Sequence, residues 1–154
     1  MYDTKTLIDT QTGSAATSDS SASFRQRAGN KVSAHRCLVA DDDPAILQLV
    51  AEMLSELNFQ VDTAEDGRKA FLQISSHRYD LVLTDLEMPE MNGFLVASSA
   101  KSLSNSTRTV IMTGHSNADS LGMRNTTIVD AWLFKPFQLY ELCRILGDLK
   151  LSVP

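Results

Sequence analysis

The sequence of 154 residues is short of long apolar runs and of cysteine. No segment approaches about 18 consecutive apolar residues, and no apolar stretch flanked by positive charge opens the chain, so no transmembrane helix or secretory signal is visible. We therefore expect a soluble, cytoplasmic protein without a membrane partner. Cys37 and Cys143 fit no CxxC-type spacing, which favours two small apolar residues in a reducing compartment over redox or metal chemistry.

Positive charge is also scarce in most of the chain. The formal net charge is −5 at pH 7, and because residues 1–36 carry +2, the remainder carries −7. Duplex affinity comes mainly from Lys and Arg side chains that neutralise phosphates. The sequence therefore predicts that the protein does not bind nucleic acid directly.

The first 36 residues lack the apolar periodicity of a folded segment. Residues 10–23 are all Ser, Thr, Ala, Gly, Asp or Gln, a composition that buries too little surface to offset the entropy of ordering. We expect residues 1–36 to be a disordered Ser/Thr-rich extension. The composition favours an extension without a role of its own over a tether or a peptide that folds on a partner.

From residue 37 onward, short apolar runs alternate with segments of helical periodicity, which is typical of a parallel sheet covered by helices on both faces. The predicted strands are 37–40, 60–64, 81–84, 109–112 and 131–134. The predicted helices are 44–57, a short second helix whose apolar face is Ala70, Phe71 and Ile74, 94–102, 116–124 and 138–149. We expect one α/β domain at 37–150, with a doubly wound five-stranded parallel sheet in the order 2-1-3-4-5 and five helices. A tail at 151–154 and no output domain would follow.

Polar side chains stand where four of these strands end. Asp41, Asp42 and Asp43 follow the first strand, and the third, fourth and fifth strands lead into Asp85, Thr113 and Lys135-Pro136. The carboxyl ends of parallel strands lie side by side, so an acid cluster, a hydroxyl and an ammonium should share one cleft. Such a cleft suits a divalent cation and a phosphoryl group. Asp43 precedes Pro44, and we expect it to cap the first helix instead of binding metal.

Four motifs carry a family resemblance: Leu-Val-Ala-Asp-Asp-Asp-Pro at 38–44, Asp-Leu-Glu-Met-Pro-Glu-Met-Asn-Gly at 85–93, Met-Thr-Gly at 112–114 and Phe-Lys-Pro-Phe at 134–137. In this order and spacing they resemble the receiver domain of two-component response regulators, in particular the single-domain, chemotaxis-regulator-like type, over residues 37–150. The resemblance implies a flavodoxin-like fold and a phosphorylatable signalling module of a two-component or phosphorelay system. It implies no enzyme activity beyond self-catalysed phosphotransfer and autodephosphorylation.

The resemblance also implies roles for individual residues. Asp85 would be the phosphoacceptor, and Mg²⁺ or Mn²⁺ would be bound by Asp41, Asp42, Asp85 and the backbone carbonyl of Glu87. The phosphoryl group would contact Thr113, Gly114 and Lys135. The switch would couple Thr113 to inward rotation of Trp132, the bond before Pro136 would be cis, and Glu87 and His115 would tune the lifetime of the acyl phosphate.

The expected phosphodonor is a sensor histidine kinase or a histidine phosphotransfer protein, and an unknown downstream protein would bind the face formed by residues 117–149. Two alternatives stay open: a degenerate receiver that acts as a binding scaffold, and an aspartyl phosphohydrolase of the haloacid dehalogenase type. The second is disfavoured because Glu87 stands where that class has a second aspartate. An acid-stable, base-labile adduct lost in Asp85→Asn would separate the receiver from both.

Overall fold

The computed structural model describes residues 34–114 and 126–151. In chain order, the elements are β1 (Arg36–Ala40), α1 (Pro44–Glu56), β2 (Gln60–Ala64), α2 (Gly67–Ser76), β3 (Leu81–Asp85), α3 (Gly93–Leu103), β4 (Arg108–Thr113), β5 (Ala131–Phe134) and α4 (Leu139–Asp148). The predicted extension up to residue 33 and the predicted helix at 116–124 lie outside the described residues. The last predicted helix, 138–149, therefore corresponds to α4.

The five strands form one parallel sheet in the order β2-β1-β3-β4-β5, as the sequence predicts. After β1 the chain adds β2 on one side of it, and then β3, β4 and β5 on the other side. A crevice therefore opens at the carboxyl ends of β1 and β3, where ligands bind in sheets of this kind. All five residues of β3 are buried, as expected for the central strand of a sheet covered on both faces.

Helices cover both faces because side chains alternate along each strand. Along β1, Cys37 and Val39 belong to a core that includes residues of α1 and α4, whereas Leu38 and Ala40 belong to a second core that includes residues of α2 and α3. The sheet is thus the middle of three layers, and the carboxyl ends of its parallel strands lie side by side along one edge of it. None of the helices in the described ranges is long and apolar enough to span a membrane.

The folded unit extends slightly beyond the predicted limits of 37 and 150. Arg36 begins β1, and the carbonyl of His35 accepts a hydrogen bond from the amide of Gln60 at 2.8 Å. At the other end, Leu151 is 7% exposed in the core under α4, and its amide donates to the carbonyl of Leu146 at 3.0 Å. Leu151, which the sequence assigns to a tail, therefore packs as part of the domain.

Candidate functional site

Three carboxylates meet at the crevice between β1 and β3. Asp41 follows β1 and is 1% exposed, Asp85 ends β3 and is 8% exposed, and Asp42 is exposed beside them. One oxygen of each lies within 4.8 Å of the others. This spacing lets all three carboxylates face a single ion, and the structure thus brings together the acids that the sequence places at two strand ends.

Lys135 joins two of these acids from the far side of the crevice. Its Nζ lies 2.7 Å from Oδ2 of Asp41 and 2.7 Å from Oδ1 of Asp85. The peptide bond between Lys135 and Pro136 is cis, the geometry that the resemblance implies. The ammonium therefore compensates the two least exposed carboxylates of the cluster.

Backbone amides fix the other oxygen of each buried acid. The amide of Asp43 donates to Oδ1 of Asp41 at 2.9 Å, and the amide of Glu87 donates to Oδ2 of Asp85 at 3.0 Å. Both carboxylates are thus held by one amide and one ammonium. Their orientation is set before any ligand arrives, because each contact comes from the backbone or from the half-buried Lys135.

Burial and ion pairing compete at this cluster. Burial raises the pKa of Asp41 above its ordinary value, although the hydrogen bonds from Lys135 and Asp43 act against that rise. Burial alone would lower the pKa of Lys135, but its hydrogen bonds to Asp41 and Asp85 outweigh burial and raise that pKa. The lysine therefore stays an ammonium, whereas Asp41 carries a charge that the protein alone compensates incompletely.

The acid next to this cluster has a different role. Oδ1 of Asp43 accepts hydrogen bonds from the amides of Ala45 and Ile46, at 2.9 and 3.5 Å, and Pro44 occupies the first turn of α1. These bonds satisfy two of the amides that have no partner within the helix. The prediction that Asp43 caps α1 is confirmed.

Two glycines let the loop after Asp85 pack closely. A Cβ atom on Gly93 would overlap the carbonyl of Asp85, and one on Gly67 would overlap the carbonyl of Met91. Asn92 then caps α3 by accepting from the amide of Leu95 at 2.9 Å. Sequence reasoning missed Gly67 as part of the support for this loop, because the close approach joins two elements that are distant in the chain.

The remaining predicted residues surround a cleft of about 200 Å³ that is lined by Asp85, Leu86, Glu87, Thr113, Gly114 and Lys135. Thr113 is 2% exposed at the end of β4, and its carbonyl accepts from the amide of Lys135 at 2.8 Å. Trp132 is half-buried on β5, in register with Ile111 of β4. His115 lies outside the described residues. The cleft therefore contains every described residue that the sequence assigns to phosphoryl binding.

Comparison with known families decides what kind of domain carries this cleft. The family model of the response regulator receiver domain matches residues 37–147. This chain belongs to the receiver domain family. Members of this family are phosphoaccepting modules of two-component signalling, and the sequence-based expectation of the family is confirmed.

Named relatives of this receiver domain are response regulators and a sensor protein. The transcriptional regulatory protein PrrA of Mycobacterium leprae is 32% identical over 111 residues, which are 72% of this chain and 48% of PrrA. The sensor protein EvgS of Escherichia coli is 32% identical over 112 residues, 73% of this chain and 9% of EvgS. The chain thus spans about half the length of the PrrA relative and a small part of EvgS.

Solved structures give the same fold for this receiver domain. The chemotaxis response regulator CheY4 of Vibrio cholerae superposes with a TM-score of 0.69 at 27% identity, covering 75% of this chain and 98% of CheY4. The response regulator TrrA of Thermotoga maritima, solved in complex with Mg(2+)-BeF, gives a TM-score of 0.66 at 32% identity, with coverages of 75% and 98%. The doubly wound receiver fold is therefore shown by both sequence and structure.

Proposed function

We propose that this receiver domain accepts a phosphoryl group on Asp85 from a phosphohistidine, in a Mg²⁺-dependent reaction. The observation that carries the proposal is the setting of Asp85, whose carboxylate ends the central strand beside two further acids and within 2.7 Å of the Lys135 ammonium. The phosphodonor would be a sensor histidine kinase or a histidine phosphotransfer protein.

The acid cluster suits a hard divalent cation. Carboxylate oxygens are the ligands that Mg²⁺ prefers, and Asp41, Asp42 and Asp85 offer oxygens within 4.8 Å of one another. The backbone carbonyl of Glu87 would complete the protein's ligand set. Bound Mg²⁺, or Mn²⁺ in its place, would neutralise charge between the acceptor carboxylate and the incoming phosphoryl oxygens.

Covalent transfer forms one bond and breaks another. A carboxylate oxygen of Asp85 attacks phosphorus, the bond between phosphorus and the donor imidazole nitrogen breaks, and the bonding electrons return to the imidazole. The products are an acyl phosphate on Asp85 and a free histidine on the donor. No proton needs to leave Asp85, since the carboxylate is the attacking form.

Lys135, Thr113 and Gly114 would hold the transferred group. The Lys135 ammonium already contacts Asp85 and would pair with a phosphoryl oxygen, and the Thr113 hydroxyl would donate to another. Gly114 lines the same cleft, and a Cβ added there would meet no atom of the described residues within 4 Å. These contacts would stabilise charge on the phosphoryl oxygens during transfer.

The same contacts would drive the conformational change on phosphorylation. Movement of Thr113 toward the phosphoryl group would vacate space beside β5, and Trp132 would rotate into it. The surface that responds would lie within residues 117–149 and would bind the downstream protein. Glu87 at the cleft and His115 after Gly114 would set how fast water hydrolyses the acyl phosphate, which is the autodephosphorylation that we assign to this domain.

The decisive experiment is phosphorylation of the purified chain with acetyl phosphate and Mg²⁺, followed by intact-mass analysis. We expect an acid-stable, base-labile adduct in the wild type and none in Asp85→Asn. Asp80→Asn is the matched control because Asp80 is also an aspartate, and it immediately precedes β3 at the end opposite Asp85. This control should keep the adduct.

Each alternative predicts a different outcome. A degenerate scaffold would give no adduct in the wild type, although Mg²⁺-free and Mg²⁺-loaded samples would both stay folded. A phosphohydrolase would release phosphate over many rapid turnovers without accumulating the adduct, whereas the receiver would accumulate the adduct and release phosphate only as fast as it autodephosphorylates. An adduct that survives in Asp85→Asn would move the acceptor role to another residue.

A further inference from the structure

The strand that precedes Lys135 is short and has one neighbouring strand. β5 has four residues and lies at the edge of the sheet, where it pairs with β4. Only Leu133 of this strand is buried. Burial of Leu133 sets which face of the strand points to the core, and any further contact that fixes the alignment of β5 on β4 also fixes Lys135, which immediately follows its last residue.

One residue pair at the start of β5 supplies such a contact. The amide of Asp130 donates to the carbonyl of Thr109 at 2.9 Å, and the amide of Thr109 donates back to Oδ2 of Asp130 at 2.7 Å. The Asp130 carboxylate thus accepts the bond that a strand carbonyl would otherwise take. Because both bonds join the same two residues, they define one alignment of β5 on β4.

The carboxylate of Asp130 is in turn tied to α3. Nζ of Lys101 lies 2.6 Å from Oδ2 of Asp130, and the two side chains are only 11% and 16% exposed. Burial raises the pKa of Asp130, but the hydrogen bonds from Lys101 and Thr109 outweigh burial and hold that pKa below its usual value. Arg108 adds a longer contact at 3.4 Å from Oδ1. This half-buried ion pair connects the start of β5 to α3, the helix that follows the loop after Asp85.

The alignment set by Asp130 reaches the cleft through the four extended residues of β5. β5 runs from Ala131, in register with Val110, to Phe134, in register with Thr113. A slip of one residue would shift Lys135 by about 3.3 Å and turn its side chain to the opposite face. The two 2.7 Å contacts of its Nζ with Asp41 and Asp85 could not survive such a shift.

We propose that Asp130, through its reciprocal bonds with Thr109 and its ion pair with Lys101, is a positioning residue that aligns Lys135 with the phosphoryl site. The inference rests on the proposed function, since it assigns Lys135 to the bound phosphoryl group. Asp130 itself touches none of the reacting atoms.

The test compares ligand affinity with stability in matched variants. Asp130→Asn keeps one oxygen to accept from Thr109 but loses the ion pair, and Asp130→Ala loses both. Asp62→Asn is the control because Asp62 lies on β2, the opposite edge strand, and pairs with Arg36 at 2.8 Å. Beryllofluoride with saturating Mg²⁺ is the probe, titrated by the fluorescence of Trp132, the single tryptophan of the chain.

We expect Asp130→Asn to weaken beryllofluoride affinity about tenfold and Asp130→Ala further, because small displacements of a contacting group are costly at such sites. Affinity for Mg²⁺ alone should not fall, since the acids that would bind the metal lie at the ends of β1 and β3 and would lose only the competing ammonium of Lys135. Asp62→Asn should leave both affinities within twofold of the wild type, even where urea denaturation shows an equal loss of stability.

The outcomes separate the inference from the function on which it rests. Beryllofluoride affinity in Asp130→Asn equal to that of the wild type would overturn the positioning role, and so would an equal loss in Asp62→Asn. A wild type that binds no beryllofluoride in the presence of Mg²⁺ would instead overturn the proposed function. Should Asp130→Ala fail to fold, the Asn variant still decides the question.

Discussion

Asp42 and Asp43 are identical side chains at adjacent positions, yet the structure places them in different environments. Asp42 contributes an oxygen to the acid cluster, whereas Asp43 accepts bonds from the first amides of α1. Identity of the side chain therefore says little about its role. The neighbouring proline decides the matter, because Pro44 fixes where the helix starts and makes the residue before it the N-cap.

This difference predicts opposite effects of two alanine substitutions. Asp43→Ala removes the N-cap and should lower the free energy of unfolding by about 1 kcal/mol, with Mg²⁺ affinity within twofold of the wild type. Asp42→Ala removes an exposed carboxylate and should change stability by less than about 0.5 kcal/mol, while weakening Mg²⁺ binding at least tenfold. Urea denaturation in EDTA and isothermal titration with MgCl₂ measure the two quantities.

The two variants serve as controls for each other. Weaker Mg²⁺ binding in Asp43→Ala, without a change in stability, would show that the capping role is secondary to a role in the metal site. Unchanged Mg²⁺ binding in Asp42→Ala would remove Asp42 from the proposed ligand set.

Residue roles of this kind could be predicted only in part from the sequence. The strand-end positions of Asp41, Asp85 and Lys135 follow from apolar runs and from the geometry of parallel sheets, so their convergence was predictable. The role of Asp130 was not predictable, because it depends on Lys101 of α3 and Thr109 of β4. No local sequence pattern indicates a contact between such distant elements. The signal that was available is an aspartate immediately before a predicted edge strand.

At the scale of elements, apolar runs predicted the strands well and their ends less well. The predicted strands 60–64 and 131–134 agree with β2 and β5. β4 is longer by one residue at each end than the predicted 109–112. The extra residues Arg108 and Thr113 are placed by ladder hydrogen bonds, which depend on the neighbouring strand and not on hydrophobicity. The same reason extends β3 to include Asp85.

Two helical glycines, one that starts α2 and one near the end of α4, show where a glycine is required and where it is dispensable. Gly67 opens α2 against the carbonyl of Met91, and an added Cβ would overlap it, whereas a Cβ on Gly147 of α4 would meet no atom within 4 Å in the part of the chain that the structure describes. Backbone atoms cannot move aside as a flexible side chain can. The loop after Asp85 therefore depends on Gly67 for its place beside α2.

Alanine at these two positions should have opposite consequences. Gly67→Ala should lower the free energy of unfolding by about 2 kcal/mol through overpacking, and Gly147→Ala should raise it by up to about 1 kcal/mol through helix propensity. Chemical denaturation of both variants beside the wild type measures the effect. A neutral or stabilising Gly67→Ala would contradict the close approach between α2 and the loop.

At the scale of the whole molecule, acidic residues make the folded protein sensitive to pH in two opposing ways. The pKa of Asp130 is lowered, although burial alone would raise it, because Lys101 and Thr109 stabilise the carboxylate. The pKa of Asp41 is raised, first by burial. A lowered carboxyl pKa contributes stability that is present above the pKa of the unfolded chain and is lost as pH falls through the folded value. A raised one has the opposite sign, since folding then disfavours the charged form.

Neutral amides at the two positions should therefore give opposite pH profiles in metal-free protein. Asp130→Asn should lower the free energy of unfolding by about 2 kcal/mol at pH 7, less than for a fully buried ion pair because Asp130 is partly exposed. This loss should shrink below about pH 4, where the aspartate of the unfolded chain becomes protonated. Asp41→Asn should stabilise the protein at pH 7, and the gain should shrink as pH falls toward the raised pKa of Asp41. Urea denaturation in EDTA at steps between pH 7 and about pH 2.5 measures both differences against the wild type. A loss in Asp130→Asn that stays constant over this range would mean that the carboxylate charge contributes nothing to the contact with Lys101, and that packing alone holds the start of β5.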